Sequence, residues 1–148
     1  MEKEQKPLMT KIFEIQQSMQ PVKRNGKGYK YTYATLPQIW EKVAPEMKKL
    51  GIGWTATSKG SLQGDETMGL QVMEEMKVTI FNVDNPKDSL SNMYLFPATT
   101  AQVVGSYETY YRRYALIKIL GIVVEDESDD DGAKTKTTPK PQLTQEFE

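Results

Sequence analysis

The alternation that decides the fold lies in residues 52–96, which read IGWTATSKGSLQGDETMGLQVMEEMKVTIFNVDNPKDSLSNMYLF. Apolar residues recur at every second position in runs near residues 52–56, 68–80 and 90–96. A period of two predicts β-strands. The region of Gly60 and Gly64 and the segment NVDNPKD at 82–88 predict turns between the strands. This stretch therefore predicts a three-stranded antiparallel sheet.

Helical spacing lies on both sides of this sheet. Residues 8–20 and 35–50 carry apolar residues at intervals of three and four, which predicts two amphipathic helices. Thr35 is placed to cap the second helix, Gly51 to end it and Pro45 to kink it. A third helix is expected from about residue 99 to 120, after the sheet. The predicted fold class is therefore α+β, with flanking helices. The stripe of the second helix comprises Leu36, Trp40, Val43, Met47 and Leu50.

Residues 125–148 differ from the rest in composition. They begin with EDESDDDG and continue as a mixture of Lys, Thr, Pro and Gln with little to bury, which predicts a disordered acidic tail behind a single domain, 1–124. Residues 1–120 hold 16 Lys+Arg and 12 Asp+Glu, net +4, whereas residues 121–148 hold 3 and 8, net −5. A polyanion is attracted to the first part and repelled by the second. We therefore expect the tail to compete with nucleic acid for the basic surface.

The chain contains neither cysteine nor histidine. These absences exclude disulfides, thiolate nucleophiles, most zinc sites and Ser/His/Asp hydrolysis. No phosphate-binding glycine motif occurs, and no run of 18 apolar residues predicts a membrane span or a signal peptide. We expect a cytoplasmic, non-enzymatic protein with no cofactor, no metal and no membrane association.

The acidic run at 125–132 resembles a calcium loop only superficially. If Glu127 were the first ligand, the closing acidic position would be occupied by Thr138. A magnesium-dependent nuclease using Asp129–Asp131 is an alternative. It is weakened because a nuclease needs carboxylates that converge from separate elements. A solvated acidic linker is the favoured interpretation.

A basic arm, residues 21–34, reads PVKRNGKGYKYTYA and alternates cations with tyrosines. Its Asn-Gly dipeptide predicts a hairpin or extended arm. Cations contact phosphates while aromatic rings stack on bases without selecting among them, so the mixture favours single-strand binding. A basic hairpin whose tyrosines point into the core is an equally good interpretation. The predicted DNA contacts are Lys23, Arg24, Lys27, Tyr29, Lys30 and Tyr31.

The third helix adds a second group of candidates. The helix carries four tyrosines that lie along one side of it as a stripe. Because tyrosine stripes usually pack in a core, at least two of the four are expected to be structural. Arg112 and Arg113 lie off this stripe and receive the DNA-binding role together with Tyr114, and ion pairs to Glu108 or Glu75 are the alternative for the arginines. The stripe comprises Tyr107, Tyr110, Tyr111 and Tyr114.

Two blocks of sequence resemble the ERF (essential recombination function) family of phage single-strand annealing proteins. One is GSYETYYRRYALIKILGIVVEDESDDDG at 105–132, with a basic pair before Tyr-Ala-Leu, then Leu-Gly-Ile and an acidic run. The other is YKYTYATLPQIWEKVAPEMKKLGIGW at 29–54. The blocks stand in the family's order, and the resemblance covers about residues 8–132. Tyr110 departs from the family pattern, in which a smaller residue is expected.

The resemblance implies an ATP-independent protein that coats single-stranded DNA, forms a homo-oligomeric ring or filament and pairs complementary strands. It also implies a β-β-β-α annealing core, here 52–120. The residues carried over most firmly are Gly105, Ser106, Arg112, Arg113 and Tyr114. If the six predicted cations all contact phosphates, the logarithm of the binding constant falls with the logarithm of salt at a slope of about −4.

Two matters stay open from the sequence. An RNA-binding or scaffolding module of a phage complex is an alternative to the annealing protein. A host single-strand-binding protein and a phage exonuclease are both candidates for a further partner, the first through the terminus that contains Phe147.

Overall fold

The computed structural model describes residues 5–23, 26–28, 31–65, 67 and 69–124, with the backbone alone at 26–28, 31–33 and 65. Within these ranges it has three helices, a two-stranded sheet and a three-stranded antiparallel sheet, which confirms the predicted α+β class. The predicted disordered tail, 125–148, lies outside the described residues, and the domain boundary at 124 stays a prediction. The elements are α1 Leu8–Ser18, β1 Gly26–Gly28, β2 Tyr31–Tyr33, α2 Leu36–Leu50, β3 Ile52–Asp65, β4 Gly69–Asn82, β5 Asn85–Pro97 and α3 Ala101–Leu120.

The three-stranded sheet has the order β3-β4-β5, and its strands are longer than predicted. β3 runs through Gly60 and Gly64, so the turn predicted there was wrong, and β3 pairs with β4 as far as Asp65 opposite Gly69. Gly60 is tolerated because its backbone stays in the ladder opposite Glu74, at an exposed position where no side chain is needed for packing.

The second predicted turn is shorter than its composition suggested. Only Val83 and Asp84 form it, and β5 begins at Asn85 and includes Pro86. Proline cannot donate a ladder hydrogen bond, but β5 is an edge strand and tolerates it. The NVDNPKD segment was therefore correctly assigned as a turn only in its first half.

Helix α2 has the predicted ends. The Thr35 side chain accepts from the Gln38 amide in a reciprocal capping box, and Gly51 adopts the left-handed conformation with φ of 78°. The helix continues through Pro45, and its buried residues are Ile39, Val43 and Met47.

The predicted stripe of α2 was wrong at one position. Trp40 is exposed, and Ile39 takes the buried place because it lies four residues before Val43 on the same face. Trp40 packs instead at the edge of the helix, with its ring centroid 5.7 Å from that of Trp54 on β3.

The helices cover one face of the three-stranded sheet. Alternate residues on this face, among them Val78, Ile80 and Phe96, are fully buried against them, whereas Thr57 and Lys77 on the other face are exposed. The sheet is thus one layer and the helices the other, and α3 lies directly over Met76, Val78 and Phe96. The order β3-β4-β5-α3 matches the β-β-β-α core that the family resemblance implies.

A buried lysine anchors α1 to the sheet. Lys11 is only 3% exposed, and its Nζ donates to Asn82 Oδ1 at 2.8 Å, to Asp84 Oδ2 at 3.0 Å and to the carbonyl oxygen of Gly51 at 3.2 Å. A buried ammonium is tolerated only when its protons are bonded, and here three oxygens accept them, from the end of β4, the β4–β5 turn and the residue after α2. The interaction fixes α1 to the β4–β5 turn and to the end of α2.

Asp88 caps the same helix from β5. The N-cap residue, Pro7, makes no side-chain cap, and Asp88 Oδ2 instead accepts from the Leu8 amide at 2.7 Å and from Asn82 Nδ2 at 3.2 Å. The hydrogen bond from Leu8, followed by that from Asn82, holds the pKa of Asp88 below its ordinary value.

Candidate nucleic-acid interface

Helix α3 divides its tyrosines between the core and the surface. It begins at the expected place, with the Thr100 side chain accepting from the Val103 amide. Tyr111 is buried, with its ring centroid 4.5 Å from that of Tyr94 and 5.8 Å from that of Phe96. Tyr107 also packs on Phe96, at 5.3 Å. At least two of the four tyrosines are therefore structural, as predicted, and Tyr110 is half-buried against the same cluster, with its ring centroid 5.1 Å from that of Tyr111.

The other two tyrosines form a cation–aromatic row, which comprises Tyr110, Arg113, Tyr114 and Lys118. The rings of Tyr110 and Tyr114 are stacked with centroids 5.8 Å apart, and Tyr114 is exposed. The Arg113 guanidinium lies 5.3 Å from the centre of the Tyr110 ring, and Lys118 Nζ lies 4.8 Å from the centre of the Tyr114 ring. Positive charge and an accessible aromatic face thus lie side by side on one helix.

Lys118 belongs to this row but was not among the predicted site residues. It lies four residues after Tyr114, the spacing at which two side chains meet on a helix surface. A search for cations one turn beyond each tyrosine would have found it.

Arg112 lies beside the row and is held to its own helix. Its Nε donates to the carbonyl oxygen of Glu108 at 3.3 Å, and its Nη2 lies 3.5 Å from Thr109 Oγ1. Of the two acids offered as alternative partners, Glu75 forms an ion pair with Lys59 at 3.5 Å. The contacts that hold Arg112 are thus with a carbonyl and a hydroxyl, both of which leave its charge unneutralised.

The basic arm is a hairpin in its backbone. β1 and β2 pair antiparallel, from Gly26 opposite Tyr33 to Gly28 opposite Tyr31, so of the two predicted forms the arm is a hairpin. The Asn-Gly dipeptide was the wrong turn signal, because Gly26 begins β1. Lys23 is exposed. The predicted contacts Arg24, Tyr29 and Lys30, and the side chains of Lys27 and Tyr31, lie outside the described residues. The choice between stacking and core roles for the arm's tyrosines therefore stays open.

Both ends of the arm are attached to the region of α3. Arg113 Nη1 donates to the carbonyl oxygen of Ala34, directly after β2, at 3.3 Å. At the other end, the Val22 amide donates to the carbonyl oxygen of Val123 at 2.9 Å, and Val22 forms a parallel bridge with Val124. The described ends of the arm, Val22 and Ala34, therefore lie beside α3 and the segment after it, about 80 to 100 residues away in sequence.

Two carboxylates lie near one another between α3 and the sheet. Burial raises the pKa of Glu74, and a hydrogen bond and charge repulsion with Glu108 raise it further. Glu108 Oε2 also lies 3.4 Å from Ser58 Oγ. No group of three or more Asp, Glu, His or Cys that could hold a metal occurs among the described residues. The acids 129–131, on which the nuclease alternative depends, lie outside them.

The comparisons with known proteins give one match. The family model of the ERF superfamily matches residues 8–146. No curated protein and no solved structure matches the chain. In the part of the chain that the structure describes, no helix is long and apolar enough to cross a membrane. Since the family match extends over nearly the whole sequence, the chain belongs to the ERF superfamily.

Proposed function

We propose that the protein binds single-stranded DNA and anneals complementary strands without ATP, in phage-type homologous recombination in the cytoplasm of a bacterial host. The observation that carries the proposal is the cation–aromatic row of α3, with the basic arm attached beside it. Membership of the ERF superfamily supports the same function.

Binding in this arrangement uses the phosphates and ring faces and leaves base edges accessible. Lys23, Arg112 and Lys118 contribute charge that contacts phosphates regardless of sequence. A base can stack on the exposed Tyr114 ring when Lys118 turns from that ring to a phosphate, and the stacking is worth about 1–3 kcal/mol. Annealing breaks and forms no covalent bond, so the site needs no nucleophile or general base. It must hold the backbone while the base edges find their complement.

A single small domain with such a patch binds weakly, so the function requires repetition. In a homo-oligomer the sites act on one strand together, and the effective concentration of the second site raises the overall affinity. We therefore propose that the active form is a ring or filament of identical chains.

The acidic tail is proposed to moderate this binding. Val124 is bridged to Val22, the neighbour of Lys23, and the acidic run follows Val124 directly in the sequence. Its carboxylates compete with phosphates for the same cations. Truncation of 125–148 is expected to strengthen nonspecific DNA binding while the domain stays folded, and unchanged binding would contradict this role.

The annealing test mixes two complementary labelled oligonucleotides with the full-length protein in the absence of ATP and follows duplex formation by energy transfer. The wild-type protein is expected to accelerate pairing. Replacing both Arg112 and Arg113 by Ala is expected to slow it and to weaken single-strand binding, with the circular dichroism spectrum unchanged. The matched control replaces Lys48 and Lys49, an adjacent basic pair that is exposed on α2.

The control variant is expected to anneal like the wild type. Equal losses in both variants would mean that general charge, and not the α3 surface, promotes pairing. Repeating the assay with RNA strands and with duplex DNA separates the annealing protein from an RNA-binding module. Failure of the wild-type protein to accelerate pairing of DNA at low salt contradicts the proposal.

A further inference from the structure

The β3–β4 hairpin extends beyond the rest of the sheet. β3 and β4 pair along 14 positions, from Ile52 opposite Asn82 to Asp65 opposite Gly69, but β5 pairs with β4 only from Met73 onward. Residues 62–65 and 69–72 therefore form a two-stranded ribbon beyond the third strand, next to which the Val72 carbonyl oxygen accepts from the Ala98 amide at 2.9 Å. Isolated two-stranded ribbons are at best marginally stable in water.

One face of the ribbon is apolar and uncovered. Leu62 pairs with Val72, and Leu70 follows two residues before Val72, so the three side chains share a face. Leu62 is 65% exposed, Val72 is 55% exposed and Leu70 is 75% exposed. In register this face continues the one that carries buried Val78 and Ile80, but the helices stop short of it. An apolar sheet face that ends uncovered is typical of an interaction surface.

A second uncovered apolar surface, the α1 patch, lies at the other end of the sheet. It comprises Met9, Phe13 and Leu90, all exposed. Met9 and Phe13 are four residues apart on α1 and lie on one side of it. Leu90 lies two residues after Asp88, which binds the Leu8 amide, so β5 brings it to the start of the helix.

The ribbon of a chain cannot reach its own α1 patch. Ile80 pairs with Leu90, and eight residues separate it from Val72 along β4, which is roughly 26 Å at the rise of a β-strand. The two surfaces also match in chemistry, because each exposes three apolar side chains. Both features fit a second copy of the same chain.

We propose that the ribbon of one protomer docks on the α1 patch of the next, with Leu62, Leu70 and Val72 covering Met9, Phe13 and Leu90. This docking adds an assembly interface to the proposed function, and it rests on that function for what the assembly does. The two surfaces differ, so the contact is head-to-tail and repeats from copy to copy, which generates a ring where the rotation closes and a filament where it does not. Repetition places the cation–aromatic rows in series along one DNA strand.

The experiment is a complementation between two variants. The ribbon variant is Leu62→Ser with Leu70→Ser, and the patch variant is Met9→Ser with Phe13→Ser. The control is Met93→Ser, which removes an apolar side chain that is 63% exposed on the opposite face of the sheet. Molecular mass is measured by sedimentation velocity over a range of concentrations, and binding of a short single-stranded oligonucleotide is measured in parallel.

The wild-type protein and the Met93 control are expected to form multimers, and each double variant is expected to sediment as a single chain. An equimolar mixture of the two double variants should give a two-chain complex, because each contributes one intact surface. A monomeric wild type, a double variant that remains multimeric, a control that dissociates equally, or a mixture that stays monomeric would each overturn the proposal.

The oligonucleotide measurement keeps the two proposals apart. The monomeric variants retain the whole of α3 and the arm, so they are expected to bind a short strand with wild-type affinity per chain. If assembly behaves as expected but no chain binds DNA, the proposed function fails and the interface stands.

Discussion

Two lysines on two helices are used in opposite ways. Lys11 on α1 is buried, and three oxygens accept its protons, so its charge is fully used within the fold. Lys118 on α3 is exposed and lies over the Tyr114 ring, which leaves its protons accessible to a ligand. The α1 side of the molecule therefore holds the helices to the sheet. The α3 side presents charge and aromatic surface to a partner.

The largest expected effect comes from removing the buried charge. Lys11→Met keeps the length and apolar stem of the side chain but takes the cation from the Asp84 carboxylate. The oxygens of Asn82 and Gly51 each lose one donor and keep the amides of Asp84 and Val83. Breaking a buried, bonded charge costs about 3 kcal/mol, at the low end of the usual range because Asp84 is partly solvated. Urea unfolding should show this loss as a lower midpoint concentration, with little change in the slope of the free energy of unfolding against urea concentration.

The matched variant is Lys118→Met. It removes the same charge from an exposed site, so the free energy of unfolding should change by less than about 0.5 kcal/mol. Affinity for single-stranded DNA should decrease in this variant and not in folded Lys11→Met. Equal losses of stability in the two variants would contradict a structural role for the α1 side and a binding role for the α3 side.

Loss of the exposed ring is expected to have the next largest effect. Tyr114→Ala removes a stacking face worth about 1–3 kcal/mol, so affinity for single-stranded DNA should fall about tenfold. Tyr114→Phe keeps the ring and should bind nearly as well as the wild type. Fluorescence anisotropy with a labelled oligonucleotide measures both, and a Phe variant as weak as the Ala variant would assign the role to the hydroxyl group.

A smaller, pH-dependent effect is expected from the cap of α1. The pKa of Asp88 is lowered in the folded protein, so its stabilisation is present above its ordinary pKa of 3.8 and is lost as the pH falls through the folded-state value. Asp88→Asn should therefore be less stable than the wild type at pH 6, and the difference should shrink below pH 3.8. A constant difference across this range, measured by thermal unfolding, would contradict the linkage.

The smallest effect has the opposite sign. Because the pKa of Glu74 is raised above its ordinary 4.5, ionisation costs the folded state more than the unfolded state, and the favourable contribution present at low pH is lost as the pH rises. Glu74→Gln should be slightly more stable than the wild type at pH 7 and equal to it near pH 4. A variant that is less stable at pH 7 would show that the Glu74 carboxylate is needed there.

Local patterns were sufficient for the elements but not for the contacts between distant segments. The α+β class, the caps of α2 and the structural pair of tyrosines follow from spacings of two, three and four residues. The attachment of the arm depends on Arg113 bonding Ala34 and on Val22 bonding Val123, which are long-range contacts that no local period encodes. The burial of Lys11 could not be predicted for the same reason, because its partners Asn82 and Asp84 are about 70 residues away in sequence.

The wrong predictions at Gly60 and Trp40 have a common cause. Glycine composition suggested a turn at Gly60, but ladder hydrogen bonds with β4 override it. Apolar spacing placed Trp40 on the stripe of α2, but Ile39 takes the buried place. In both cases the tertiary partner, which the sequence does not identify, outweighs the local preference.

The salt dependence of single-stranded DNA binding tests the central claim most directly, since it counts the cations that contact phosphates. With the six predicted cations and Lys118, the logarithm of the binding constant should fall with the logarithm of salt at a slope of about −5 per protomer, at roughly −0.7 per contact. The Arg112→Ala, Arg113→Ala variant should give about −3.5. A wild-type slope near zero, or the same slope in the variant, would contradict the account.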